Sequence, residues 1–153
     1  MNARRTLIVV GAGLIAAGLW YYFARGPRLD DREQIIQMVV DVEQAVETKR
    51  TSTILDCFSE DYKDSMGYDR RALQRLLFAG FRQAGYVDVV AQLGEISIQG
   101  DTATVHVEAD YAFGQAVGGD GSAHMAVDVT LQRERGGWKI VRAEGWHTAA
   151  NDG

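Results

Sequence analysis

Acidic residues are missing from the first 29 positions, and cysteine and proline occur once each in the 153-residue chain. A single cysteine, Cys57, excludes an intrachain disulfide, although that does not assign a compartment. The glycine-rich stretch Gly114–Gly121 is not followed by Lys-Ser or Lys-Thr, which excludes a phosphate loop. Metal-ligand spacing is also lacking: no HxH or close i,i+4 pair occurs, and His124 with His147 would be too few ligands. No cofactor is therefore expected. Charge is uneven as well. After Leu29 the chain has twelve basic and 21 acidic groups, a net charge of −9. That balance repels nucleic acid on average, so no nucleic-acid partner is expected, although a local basic patch around Arg70, Arg71 and Arg75 is compatible with it.

What is present begins with Thr6–Ala24, 19 residues without a charge. As a helix they span about 28 Å, close to the hydrocarbon thickness of a bilayer. Arg4 and Arg5 mark one interface. Trp20, Tyr21 and Tyr22, then Arg25 and Arg28, suit the other. The alternative reading is a dinucleotide turn, Gly11-x-Gly13-x-x-Ala16 after Leu7–Val10. It needs a second apolar strand ending in an acid, and the polar break from Ala24 to Glu33 does not supply one. Residues 1–28 are thus expected to be a single-pass membrane anchor, with the domain outside the cytoplasm. A cleaved signal peptide ending near Ala16-Ala17-Gly18, giving a secreted domain, and a cytoplasmic-facing domain remain open.

Residues 29–148 predict one α+β domain, with a disordered tail over 149–153. Asp30-x-x-Glu33 resembles a capping box. Ile35, Val39, Val42 and Val46 recur at helical spacing, and Lys49 and Arg50 close that helix. Ser52 or Thr53 can cap a short second helix through Phe58, with Ile54, Leu55 and Phe58 inward. Asp69 caps a third, Arg70–Gln83, whose buried side is Leu73, Leu76, Leu77 and Phe81. The period then becomes two. Val87–Leu93 and Glu95–Ile98 are strand material. Ala103, Val105, Val107, Ala109 and Tyr111 alternate with polar residues, as do Met125, Val127, Val129 and Leu131. Gly100-Asp101 and Arg135-Gly136-Gly137 are hairpin signals. Three helices followed by a one-sided antiparallel sheet give the α+β class.

Ala45–Asp61 (AVETKRTSTILDCFSED), GDTATVHVEADY and RGGWKIVRAEGWH together resemble nuclear transport factor 2-like (NTF2-like) proteins over most of Asp30–His147. The resemblance implies three helices on a curved antiparallel sheet, shaped as a cone with an open mouth. It also implies a possible homodimer through the sheet. Members include enzymes, ligand binders and non-catalytic modules, so fold alone does not give function. Steroid-isomerase-like members use a Tyr on the first helix and an Asp beyond the FxxD region. Alignment on Phe58 and Asp61 puts Val42 and Met66 there, and neither can move a proton.

The residues expected to line the pocket are Phe58, Tyr62, Asp64, Phe81, Tyr111, Arg142, Glu144 and Trp146. Pairing Arg133 with Trp138 and continuing in step sets Val129 against Arg142 and Val127 against Glu144. Both charged residues then fall on the inner face, as a ligand handle, an acid/base site or a salt bridge at the rim. Cys57 reads as a small core residue. Gly114–Gly121 reads as a long mobile hairpin that could act as a lid. The expected function is a membrane-tethered, non-catalytic domain that binds a small apolar ligand or a protein partner. The alternatives are a pocket enzyme of isomerase, dehydratase or cyclase type, and an assembly subunit of a membrane complex.

Overall fold

The computed structural model describes residues 30–115 and 119–146. Three helices pack on one four-stranded antiparallel sheet. The order is α1 (Asp31–Glu47), α2 (Thr51–Asp56), α3 (Arg70–Gln83), β1 (Ala84–Gln99), β2 (Thr102–Gln115), β3 (Asp120–Glu134) and β4 (Gly137–Glu144), and the strands neighbour in chain order. The expected anchor Thr6–Ala24, the tail 149–153 and His147 lie outside the described residues. Among the described residues no helix is long and apolar enough to cross a membrane.

α1 ends differently from the expectation that Lys49 and Arg50 close it against its dipole. Its last turn holds no basic residue. The Arg50 amide donates to the Ala45 carbonyl (2.7 Å) and the Lys49 amide to Val46 (3.0 Å), the paired bonds of a Schellman motif. Lys49 holds the left-handed position, φ 54°, that glycine usually fills. Its ammonium group offsets that strain by donating to the Ala84 and Gly85 carbonyls at 2.6 and 2.9 Å, tying the helix end to the start of β1.

α2 is shifted towards the N-terminus of the span that a Ser52 or Thr53 cap predicts, with its length kept. It starts at Thr51, stops at Asp56, and has no side-chain cap. Phe58 leaves the helix because its segment pairs with a strand edge. Ser59 N–H donates to the Ile140 carbonyl (2.9 Å), Ile140 N–H to Cys57 (2.8 Å), and Lys63 N–H to Val141 (3.1 Å). The open side of β4 is thereby covered by residues 57–63. α3 has the expected span. Asp69 accepts from the Ala72 amide at 2.8 Å, which holds the Asp69 carboxyl below the usual range. Its packing is thinner than expected: Leu73, Leu77 and Phe81 are half-buried, while Leu76 points outward and is 43% exposed. Ala72 is the helix's one buried residue.

β1 joins the two expected strand pieces, with an irregularity between Leu93 and Ile96. Ala103, Val105 and Ala109 of β2 and Val127 and Leu131 of β3 are buried, and their neighbours in sequence are exposed apart from the half-buried Thr130, as period-two alternation requires. The strands run further into Gly114–Gly121 than a long loop would permit. Gly114 pairs with Asp120 and Phe113 with Gly121. A Cβ on Gly114 would lie 2.3 Å from the Tyr86 ring, and one on Gly121 2.7 Å from Phe113. These glycines are therefore cross-strand seats for aromatic rings, and residues 116–118 of the expected lid lie outside the described residues.

One end of the layer between helices and sheet is filled by Ile35, Ile96, Ala103, Val105, Leu131 and Trp138. Arg133 stacks on Trp138 at 4.6 Å and pairs with Asp31, so it clamps the start of α1 onto the sheet. Towards the other end the layer does not close.

Candidate functional site

There a cavity of about 400 Å³ lies between α1, the inner face of the sheet, Leu73 of α3 and the covering segment 57–63. Its walls are apolar. α1 contributes Val39, Val42 and Val46, the same residues whose spacing marked a buried stripe. They are half-buried, because they face a cavity and not a packed neighbour. The strands contribute Val89, Val107, Tyr111, Met125 and Ala143 among others. The volume falls within the range of small-molecule sites, roughly 300–1,000 Å³.

Of the residues predicted to line a pocket, Phe58, Tyr62, Tyr111 and Trp146 are on the wall. Phe58 and Tyr62 meet edge to face, with centroids 4.9 Å apart and planes at 89°. Trp146 also packs against Tyr68 at 6.0 Å. Tyr62 is 2% exposed. Burial pushes its phenol up to about 12, and the nearby Asp64 carboxylate pushes the same way. The hydroxyl thus keeps its proton through the physiological range and can donate a hydrogen bond but not act as a base.

Four predicted residues are not on the wall. Asp64 is buried, but its Oδ1 accepts from the amides of Met66 (2.9 Å) and Tyr68 (2.7 Å), so it organises its own turn. Its Oδ2 is buried without a hydrogen-bond partner among the described residues. Phe81 is half-buried on α3, away from the cavity. Arg142 and Glu144 require a correction. Arg133–Trp138 and Leu131–Ile140 pair as expected, but a bulge then shifts the register. Val129 pairs with Ala143, Thr130 with Arg142 and Asp128 with Glu144. One extra residue moves every following side chain to the opposite face. Ala143 therefore enters the cavity wall. Arg142 and Glu144 lie outside as an ion pair, Nε to Oε1 2.6 Å, with side chains 54% and 46% exposed.

Sequence reasoning missed Glu43, the acidic side chain on the wall. It adjoins Val42 at the border of the apolar stripe, where a carboxylate reads as solvated. Among the described residues it has no ion pair or hydrogen-bonded partner. The isomerase-type pair is not rebuilt by other means: Val42 is on the wall and Met66 is 58% exposed.

Outside the cavity, Cys57 donates weakly to the Thr53 carbonyl (3.5 Å), and burial pushes its thiol up, away from nucleophile behaviour. The outer face of the sheet carries two cross-strand pairs, His106 Nδ1–Asp128 (2.7 Å) and His124 Nδ1–Asp110 (2.8 Å). Among the described residues no three such groups converge as a metal site.

A family profile described as a SnoaL-like domain matches residues 27–144. Among solved structures, a candidate aromatic ring hydroxylase from Novosphingobium aromaticivorans is 19% identical with a TM-score of 0.64, covering 74% of this chain and 86% of its own. A candidate scytalone dehydratase from the same organism is 17% identical, TM-score 0.65, covering 71% and 78%. A ketosteroid isomerase-like protein from Erwinia carotovora is 15% identical, TM-score 0.60, covering 71% and 89%. At such identities the likeness concerns the fold. No curated protein matches the chain.

Proposed function

The chain belongs to the SnoaL-like domain family across residues 27–144, and from that premise we propose that it binds one small, largely hydrophobic molecule between α1 and the sheet. The observation that carries this reading is the apolar cavity of about 400 Å³. Protein interiors pack densely and leave few voids larger than a water molecule. A cavity of this size, walled from all four strands, is therefore built by the sequence. Phe58, Tyr111 and Trp146 offer ring faces and edges to such a molecule. Tyr62 and Glu43 border the cavity through the apolar parts of their side chains, so shape and hydrocarbon contact dominate its recognition.

Titration with an environment-sensitive apolar dye, followed by fluorescence, tests the reading. Ala109→Phe puts a ring into the cavity from β2. It should weaken dye binding at least about tenfold, since the displaced contacts are worth more than 1.4 kcal/mol. Unchanged binding in a folded variant would move the site elsewhere.

A second reading adds catalysis of the isomerase, dehydratase or cyclase class. Similar structures bearing hydroxylase, dehydratase and isomerase-like names weigh towards it, more than the sequence alone did. In this reading the Glu43 side chain turns its carboxylate into the cavity and accepts a proton from the bound molecule, and the neutral Tyr62 phenol, turned the same way, stabilises the developing negative charge. Arg142 and Glu144 take no part, because they face outward. Glu43→Gln should then keep dye affinity and abolish turnover of a converted substrate. Equal turnover in the variant would leave binding alone.

We further propose that Thr6–Ala24 anchors the domain at a membrane, with the domain on the extracytoplasmic side as an N-terminal anchor commonly delivers it. The uncharged length of that stretch supports this reading. Resistance of the full chain to alkaline carbonate extraction is the expected result; release would point to a cleaved leader or a soluble chain.

A further inference from the structure

α3 holds four of the twelve basic residues that follow Leu29, and no acid. Arg70 is engaged by Glu60 (2.9 Å) and the Leu55 carbonyl (3.2 Å). Arg71, Arg75, Phe78 and Arg82 follow at i, i+4, i+7 and i+11, which places them on one stripe of the helix. All four are exposed, Phe78 at 53%. Among the described residues none of these three arginines forms an ion pair, and the nearest acid acting on Arg71 and Arg75 is Asp69, whose carboxylate caps the helix. Leu76 and Ala79 also face outward, so the solvent side is cationic and apolar together.

A helix that only covers a core keeps neutral or mixed-charge polar residues on its outer side. A single-sign cationic face with a phenyl ring at its centre suits an interface that offers both negative charge and hydrocarbon. From this arrangement we infer that the outward face of α3 docks on an anionic lipid surface. Charge complementarity selects that occupant. The rest of the domain is strongly acidic, which disfavours wrapping by an extended polyanion such as a nucleic acid, whereas a flat bilayer meets α3 alone. Tether length agrees. The uncharged stretch ends at Ala24, six residues before Asp30, and six extended residues reach only about 20 Å. Arg71, Arg75 and Arg82 meet lipid phosphates, and Phe78 enters the acyl boundary. The inference is independent of what the cavity holds.

The test compares the full chain in vesicles of phosphatidylcholine alone and of phosphatidylcholine with about one third phosphatidylglycerol. Hydrogen exchange of amides over 70–83 is the readout. Each docked arginine favours the anionic surface by roughly fivefold, so exchange should slow by on the order of tenfold or more in the anionic vesicles and recover at high salt. Arg71→Gln/Arg75→Gln/Arg82→Gln should abolish the difference with the rest of the domain still protected, and Phe78→Ser should weaken it. Any chain that does not insert is scored by flotation with the same two vesicle types, which reads the α3 surface without the anchor. Equal exchange and flotation in both compositions overturn the inference. Protection that appears without anionic lipid and disappears on dilution assigns the face to a second copy and overturns it too.

Discussion

At the scale of single residues, two glycines make opposite demands. Gly80 lies on the exposed side of α3, and a Cβ there would touch nothing within 4 Å. It carries the backbone entropy penalty of glycine in a helix with no packing reason. Gly80→Ala should raise stability by about 0.5–1 kcal/mol, seen as a higher midpoint in urea unfolding. Gly145 has φ 96°, and a Cβ would lie 2.6 Å from the Ala126 carbonyl oxygen. Gly145→Ala should lower stability by roughly 1–3 kcal/mol, and a neutral result would mean that the backbone relaxes there. His106 is a third case. The Asp128 hydrogen bond raises its pKa above the ordinary value, aided by Glu108. Its pairing is complete below the unfolded value and is lost as pH rises through the folded one. In an NMR titration the His106 ring should protonate at higher pH than a free histidine, and Asp128→Asn should bring it down.

At the scale of elements, the α1 terminus separates backbone strain from side-chain bonding. Lys49→Ala keeps the left-handed strain and removes both bonds to β1, so it should cost about 2–3 kcal/mol. Lys49→Gly removes the bonds but relieves the strain, and should cost about 1 kcal/mol less than alanine. Thermal unfolding of the two variants would rank them; the reverse order would mean the Schellman turn is not strained. The elements also show where sequence runs out. Asp69 and the run to Gln83 define α3, because capping and helical period are local. Trp138–Glu144 breaks its alternation at Ile140-Val141, and the extra residue there inverts the faces of Arg142 and Glu144 relative to a register continued in step. Two adjacent apolar residues, Ile140 and Val141, mark the change of phase, but strand pairing decides which of them is the extra one. Phe58 was likewise read into α2 because its pairing with Ile140 spans 82 positions of chain.

At the scale of the whole molecule, the apolar faces of α1 and the sheet are legible as period 3.6 and period 2. They name the walls: Val39, Val42, Val46, Val107 and Met125 were all assigned inward. Whether inward residues touch each other or stand apart is not written in hydropathy, so the cavity itself, and Glu43 at its side, had to come from the structure. A molecule that fills the cavity links its binding to folding. At a concentration 100 times its dissociation constant it should add about 2.7 kcal/mol, read as a rise in unfolding midpoint that continues with the logarithm of the free concentration. Ala109→Phe should remove that rise.

The covering of β4 by residues 57–63 restricts how copies of this chain can polymerise. A sheet with two bare margins can grow without end, each copy adding to the last. Here β1 and β4 are the two outer strands; residues 57–63 cover β4 at Ile140 and Val141, and Lys49 occupies the carbonyls at the start of β1. Main-chain pairing between copies would therefore be confined to the margin at β1, and would end at two. Freeing residues 57–63 from β4 would turn a self-limiting pair into a seed for fibres.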